Sequence, residues 1–187
     1  MTLSKALLAR QSFLTQALMV LGGSLVVGMS AQVSVPMFPV PMTLQTLAIS
    51  IIGLSYGSRL AAVTLIAYLA EGAMGLPVFA GGAAGAQHLM GPTAGFLWGF
   101  VGMAWLTGWL VERGLDRGFL RLFMAAIVPA MLLFVPGVGA LMLVTGMAAG
   151  KALAVGMTPF VLGALVKAAI AAVTLMGGWA ALGGRKG

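Results

Sequence analysis

Few side chains in this sequence can do chemistry, and each is conspicuous for that reason. There is no cysteine, one histidine, and three acidic residues against ten basic ones. Lys167 stands in Pro159-Phe-Val-Leu-Gly-Ala-Leu-Val-Lys-Ala-Ala-Ile, about two turns into an apolar segment. A lysine there is costly unless it snorkels to an interface, pairs, or binds an anionic group of a ligand. Glu71 ends another apolar segment, and the other two acids are Glu112 and Asp116. It pairs with Lys167, contacts a ligand, or is solvated at a helix end. His88 has no second ligand at metal spacing, which argues against a metal centre and leaves it as a pocket wall or a wet loop residue. Thr43, Gln45 and Tyr68 either bond backbone inside a bundle or offer a ligand donors and acceptors. Phe38 and Phe79 are interfacial aromatics or ring-stacking groups.

Four of these residues, Tyr68, Glu71, Phe79 and His88, flank or occupy one stretch, Gly75 to Gly95, which is rich in glycine and carries the histidine between two apolar segments. A charge-poor glycine segment beside membrane spans is tolerated only where protein buries it or where it lines a cavity. We therefore read it as a lid over a ligand site, with its backbone, Gly82 included, available for hydrogen bonds. Gly146-Met-Ala-Ala-Gly-Lys151 resembles a phosphate loop superficially, but it is one residue short and has Ala152 where a hydroxyl is needed. Nucleotide binding is rejected. One acid and one histidine with no paired catalytic group also argue against an enzyme.

The elements that must position these groups are membrane helices. The 187 residues are 61% hydrophobic and 7% charged, with a mean hydropathy of +1.11. Those values indicate an all-α integral membrane protein, read as a single domain over residues 1–187 with no cofactor of its own. The basic residues sit singly at segment ends without the aromatic interleaving of a nucleic-acid stripe, so no nucleic-acid partner is expected. A short amphipathic lead-in to Gln11 precedes a first span from Phe13 to Val33, ended by Pro36, Pro39 and Pro41. Further spans are expected at Leu44–Tyr56, Arg59–Glu71, Pro92–Val111, Leu120–Met147 with interruptions at Pro129 and Pro136-Gly137, and Pro159–Leu182. Close helix contacts are permitted by the small-residue spacings Ser24/Gly28, Gly53/Gly57 and Gly95/Gly99.

Threading six spans from a cytoplasmic N-terminus puts Lys5, Arg10, Arg59, Arg113, Arg117, Arg121, Arg185 and Lys186 on one side, with Lys151 opposite and Lys167 in the sixth span. Six spans with both termini cytoplasmic satisfy the charge asymmetry better than five. The proline segment, the glycine-rich lid and the Lys151 connection then share the extracytoplasmic face, as a binding mouth requires.

The chain resembles the BioY family, the biotin-specific membrane subunits (S components) of energy-coupling factor transporters. The resemblance rests on Val40-Pro-Met-Thr-Leu-Gln-Thr-Leu-Ala48, Gly75-Leu-Pro-Val-Phe-Ala-Gly-Gly82, Gly91-Pro-Thr-Ala-Gly-Phe96 and Pro159-Phe-Val-Leu-Gly163 with Lys167, and it covers essentially the whole chain. It implies a six-helix fold in a prokaryotic cell membrane, with an outward-facing pocket capped by extracytoplasmic loops. It also implies biotin as substrate, and ATP used by two cytoplasmic ATPases coupled through a transmembrane T component. Association with copies of itself is left open. One departure stands out: the family's sixth-helix pattern is Pro-Phe-x-x-Gly-Asp-x-x-Lys, and this chain has Ala164 where the aspartate belongs. That loses an acceptor for a ligand N–H and a counter-ion for Lys167, unless Glu71 compensates. An S component for another vitamin and a ligand-free structural subunit are the rival readings.

Overall fold

The computed structural model describes residues 2–4 and 12–183. The described chain is mostly helical: α1 (Phe13–Gln32), a two-stranded ribbon of β1 (Ser34–Val35) and β2 (Met42–Thr43), α2 (Gln45–Tyr56), α3 (Ser58–Ala73), α4 (Ala94–Glu112), α5 (Phe119–Leu132), α6 (Phe134–Thr145), α7 (Ala149–Gly156) and α8 (Thr158–Gly183). Two short 3-10 turns, Ala80–Gly82 and Ala86–Leu89, lie between α3 and α4. Among the described residues, four helical stretches are long and apolar enough to cross a membrane: Phe13–Gln32, Ala94–Glu112, Phe119–Thr145 and Ala149–Leu182. α2 is shorter, at 12 residues, and α3 has 16.

Prolines set the breaks. Pro129 sits inside α5 without ending it, contrary to the expected interruption, whereas the helical hydrogen-bonding pattern is interrupted at Leu133, whose own backbone stays helical, between α5 and α6. Pro136 explains that position: it has no N–H for the Leu132 carbonyl four residues back and its ring crowds that carbonyl, so a new helix begins with the proline in its first turn. The same logic separates α7 from α8 at Met157, because Pro159 cannot bond to Val155. The Lys151 connection, expected as a loop, is therefore the short helix α7. The proline segment after α1 is likewise more ordered than expected. It is the tip of the ribbon, in which Ser34 pairs with Thr43 and Val35 with Met42.

Small residues bring the helices together at the expected spacings. A Cβ on Gly53 would fall 2.7 Å from Thr107 of α4, and one on Gly99 would fall 2.6 Å from Leu133. At the end away from the lid, Glu112 caps α3: its carboxylate accepts the Ser58 N–H at 3.2 Å and the Ser58 hydroxyl at 2.7 Å. Arg113 stacks over Trp109 at that end, and Arg117 lies 4.4 Å over the Trp179 ring of α8. Arg59, at the start of α3, and Arg121, in the first turn of α5, belong to the same end. Lys5, Arg10, Arg185 and Lys186 lie outside the described residues, as does most of the lead-in.

Candidate functional site

At the opposite end the ribbon, the loop before α4 and the helix ends of α4, α5, α6 and α8 enclose a cavity of about 240 Å³. Aromatic and aliphatic side chains dominate its wall: Phe79, Phe96, Phe100, Phe134, Phe160, Leu97 and Leu133. Polar groups are few and come from the ribbon end and the start of α2 (Thr43, Gln45, Thr46), from Thr93 and His88, and from Lys167. An apolar pocket with a few converging polar groups is the usual form of a small-molecule site.

Lys167 is the only Lys or Arg of the lining, which contains no carboxylate. Its ammonium donates to the Thr43 carbonyl at 2.5 Å and to the Thr46 hydroxyl at 3.3 Å. These bonds tie α8 to the ribbon and to α2, so the charge is held at the pocket and does not snorkel along the helix. Both partners are neutral oxygens, and the charge keeps its capacity to attract an anion. Ala164, 8% exposed, also faces the cavity, so the position where the resemblance places an aspartate belongs to the pocket.

Gln45 is 4% exposed and sits in a chain of four groups. The Thr43 hydroxyl donates to Gln45 Oε1 at 2.9 Å, Gln45 Nε2 donates to the Tyr68 hydroxyl at 2.7 Å, and Tyr68 donates to the Val78 carbonyl at 3.1 Å. Because Tyr68 spends its single proton on a carbonyl, it must accept from Gln45, which fixes the amide's orientation. One N–H and one lone pair of that amide remain outside this network.

The lid is seated by Phe79, which is 3% exposed. Its ring meets Tyr68 edge-on at 5.6 Å and His88 at 5.9 Å, and lies where a Cβ on Gly72 would be. Gly81 and Gly82 both take left-handed backbone, φ +70° and +74°, which turns the chain sharply after Phe79 and favours glycine. Gln32 of α1 adds a second tie, donating to the Phe79 carbonyl at 3.1 Å.

Of the residues singled out from sequence, Thr43, Gln45, Phe79, His88, Ala164 and Lys167 meet at the cavity. Four do not line it: Tyr68, Gly82, Glu71 and Phe38. Tyr68 is fully buried behind Gln45, and Gly82 turns the lid between lining residues Ala80 and Ala83. Glu71 faces α1, where its carboxylate accepts the Ser24 hydroxyl at 2.7 Å. It bridges two helices, and it is not placed to stand in for a carboxylate at position 164. Phe38 is 90% exposed at the ribbon tip and lies outside the pocket.

The sequence profile of the BioY family matches residues 4–184. The chain belongs to the BioY family. Among curated relatives, the biotin transporter BioY of Rhizobium etli is 35% identical over 153 residues, covering 78% of this chain and 81% of the relative. The biotin transporter BioY of Thermotoga maritima is 36% identical, covering 76% and 83%, and BioY2 of Lactococcus lactis is 34% identical, covering 83% and 84%. The crystal structure of the S-component for biotin from an ECF-type ABC transporter shares the fold, with a TM-score of 0.78, 20% identity and coverage of 89% of this chain and 93% of that one. In this BioY-family chain the aromatic wall other than Phe79 was the part missed from sequence. Phe96 and Phe100 are one turn apart on α4 and Phe160 follows Pro159, a helical spacing that ordinary core packing produces equally well.

Proposed function

We propose that this chain captures biotin from the extracytoplasmic side of a prokaryotic cell membrane, as the membrane-embedded S component of an energy-coupling factor transporter. The observation that carries the reading is the pairing of an aromatic pocket with a single carboxylate-free cation, Lys167, in a member of a family whose relatives are named biotin transporters. Biotin has the complementary form. Its thioether ring and aliphatic tail suit the Phe96, Phe100 and Phe160 walls, its carboxylate suits the Lys167 ammonium, and its ureido N–H and C=O suit the unused acceptor and donor of the Gln45 amide.

In this reading the six spans are α1, α2, α3, α4, the pair α5–α6, and α7–α8 taken together, with both termini cytoplasmic. The clustering of Arg59, Arg113, Arg117 and Arg121 at the end away from the pocket supports that orientation. The chain acts by binding rather than by catalysis. ATP would be consumed by two cytoplasmic ATPases, joined to it through a transmembrane T component.

Capture then proceeds by closure. The ligand enters beneath the lid, its carboxylate is drawn to Lys167, and Phe79 seats against Tyr68 and Gly72 to exclude water. Because the ligand contacts the closed lid and not the open one, occupancy shifts the population toward closure. Ala164 favours one rival, an S component for a different anionic vitamin. Both are tested by displacement of labelled biotin from the purified chain with a panel of water-soluble vitamins. Saturable biotin binding that only biotin and its close analogues displace is expected; preferential binding of another vitamin overturns the assignment of substrate.

A further inference from the structure

We infer that Tyr68 is a positioning residue whose hydroxyl joins the Gln45 amide to the glycine-rich lid, so that ligand recognition at one is transmitted to closure of the other. The inference rests on the binding reading above for its ligand half, while its protein half stands alone. Tyr68 does not line the cavity, yet its hydroxyl makes two bonds that spend its single proton. It accepts from Gln45 Nε2 at 2.7 Å and donates to the Val78 carbonyl at 3.1 Å, one residue before the aromatic that seats the lid. Its ring is also the surface against which Phe79 packs.

The arrangement has a directional consequence. If the lid lifts and Val78 departs, the Tyr68 proton loses its acceptor and turns toward another oxygen. The nearest one already in the chain of bonds is Gln45 Oε1. An amide with a donor facing its Nε2 no longer holds the orientation it has when closed. Conversely, a ligand that engages the Gln45 amide holds it in that orientation and keeps the Tyr68 proton on the lid. A buried network of this kind behaves as a unit, so removing one member costs the contributions of its neighbours as well. Gln32 provides the contrast within the same fold. It also grips the lid, at the Phe79 carbonyl, but its other partners are the carbonyls of Gly28 and Pro77, and none of them is a pocket side chain.

The test is hydrogen–deuterium exchange over residues 76–90 of the full chain in nanodiscs, with and without biotin. Tyr68→Phe keeps the ring against Phe79 and removes only the hydroxyl. Without ligand it should speed exchange about 10-fold, the scale of one hydrogen bond. Gln45→Leu should speed it less, and should add nothing in the Tyr68→Phe background. Gln32→Leu should add in full to Tyr68→Phe, because it holds the lid independently. With biotin, the unaltered chain should be protected several-fold more than Tyr68→Phe. Unchanged exchange in Tyr68→Phe, or additive effects of Tyr68→Phe and Gln45→Leu, overturns the inference, and a merely space-filling tyrosine predicts the former. Should biotin fail to protect even the unaltered chain, the biotin reading fails while the ligand-free comparison still decides the role of Tyr68.

Discussion

At the scale of single residues, the pocket is defined by what Lys167 has and what it lacks. It bonds to the Thr43 carbonyl and the Thr46 hydroxyl, and no carboxylate shares the cavity with it. Position 164 is three residues earlier on the same helix face, so an aspartate there would reach both the ammonium and the ligand. Ala164→Asp is expected to tighten biotin binding by about 10-fold, the worth of one added charged hydrogen bond offset by its desolvation. Titration calorimetry against the unaltered chain checks this, and no gain in affinity would show that the pocket has adapted to alanine. Lys167 was legible in the sequence because a charge in an apolar run must be explained, whereas Ala164 stood out only against the family's pattern. Glu71 was legible as unusual but not as to its role: its partner is Ser24, and a pairing across 47 residues has no local signature.

Among the elements, the lid is the one whose local sequence and tertiary contacts agree most closely. Its glycines announced irregular backbone, and the structure uses them for the turn at Gly81-Gly82, while a glycine of α3, Gly72, forms the socket that receives Phe79. The second use was not legible, since a helical glycine gives no sign of what packs against it. Gly72→Val should expel Phe79 and destabilise the closed lid by about 1–3 kcal/mol. The expected readings are a lower melting temperature and a loss of biotin affinity through faster dissociation. An unchanged dissociation rate would mean that Phe79 does not hold the lid. Helix boundaries were read to within a few residues, and the errors have one physical source. A proline breaks a helix at the carbonyl four residues before it, so Pro136 ends α5 near Leu132 and Pro159 ends α7 near Gly156, while Pro129 is absorbed within α5.

At the level of the whole molecule, the charge pattern and the pocket lie at opposite ends of one bundle. The Ser58–Glu112 cap and the Arg117–Trp179 contact gather α3, α4, α5 and α8 at the arginine end, and the ribbon and lid close the other. The membrane character was readable from composition, and the gathering of arginines away from the lid from their positions along the sequence. The ribbon and α7 were not, because elements of two and eight residues give too short a pattern to separate from loop. Absence of native cysteine makes the orientation directly measurable. Met90→Cys, at an exposed lid position, should react with a membrane-impermeant maleimide in intact cells. Arg113→Cys should react only after permeabilisation, and the reverse pattern would invert the proposed topology.

The central claim is that the cavity recognises an anionic biotin through Lys167. Its most direct test compares biotin with biotinol, the alcohol that lacks the carboxylate, by calorimetry on the purified chain and on Lys167→Met. The account predicts one biotin bound per chain, an affinity about 10- to 100-fold lower for biotinol, and a similar loss of biotin affinity in Lys167→Met with little further loss for biotinol. Equal binding of the two ligands, or biotin binding that is indifferent to Lys167→Met, would contradict it.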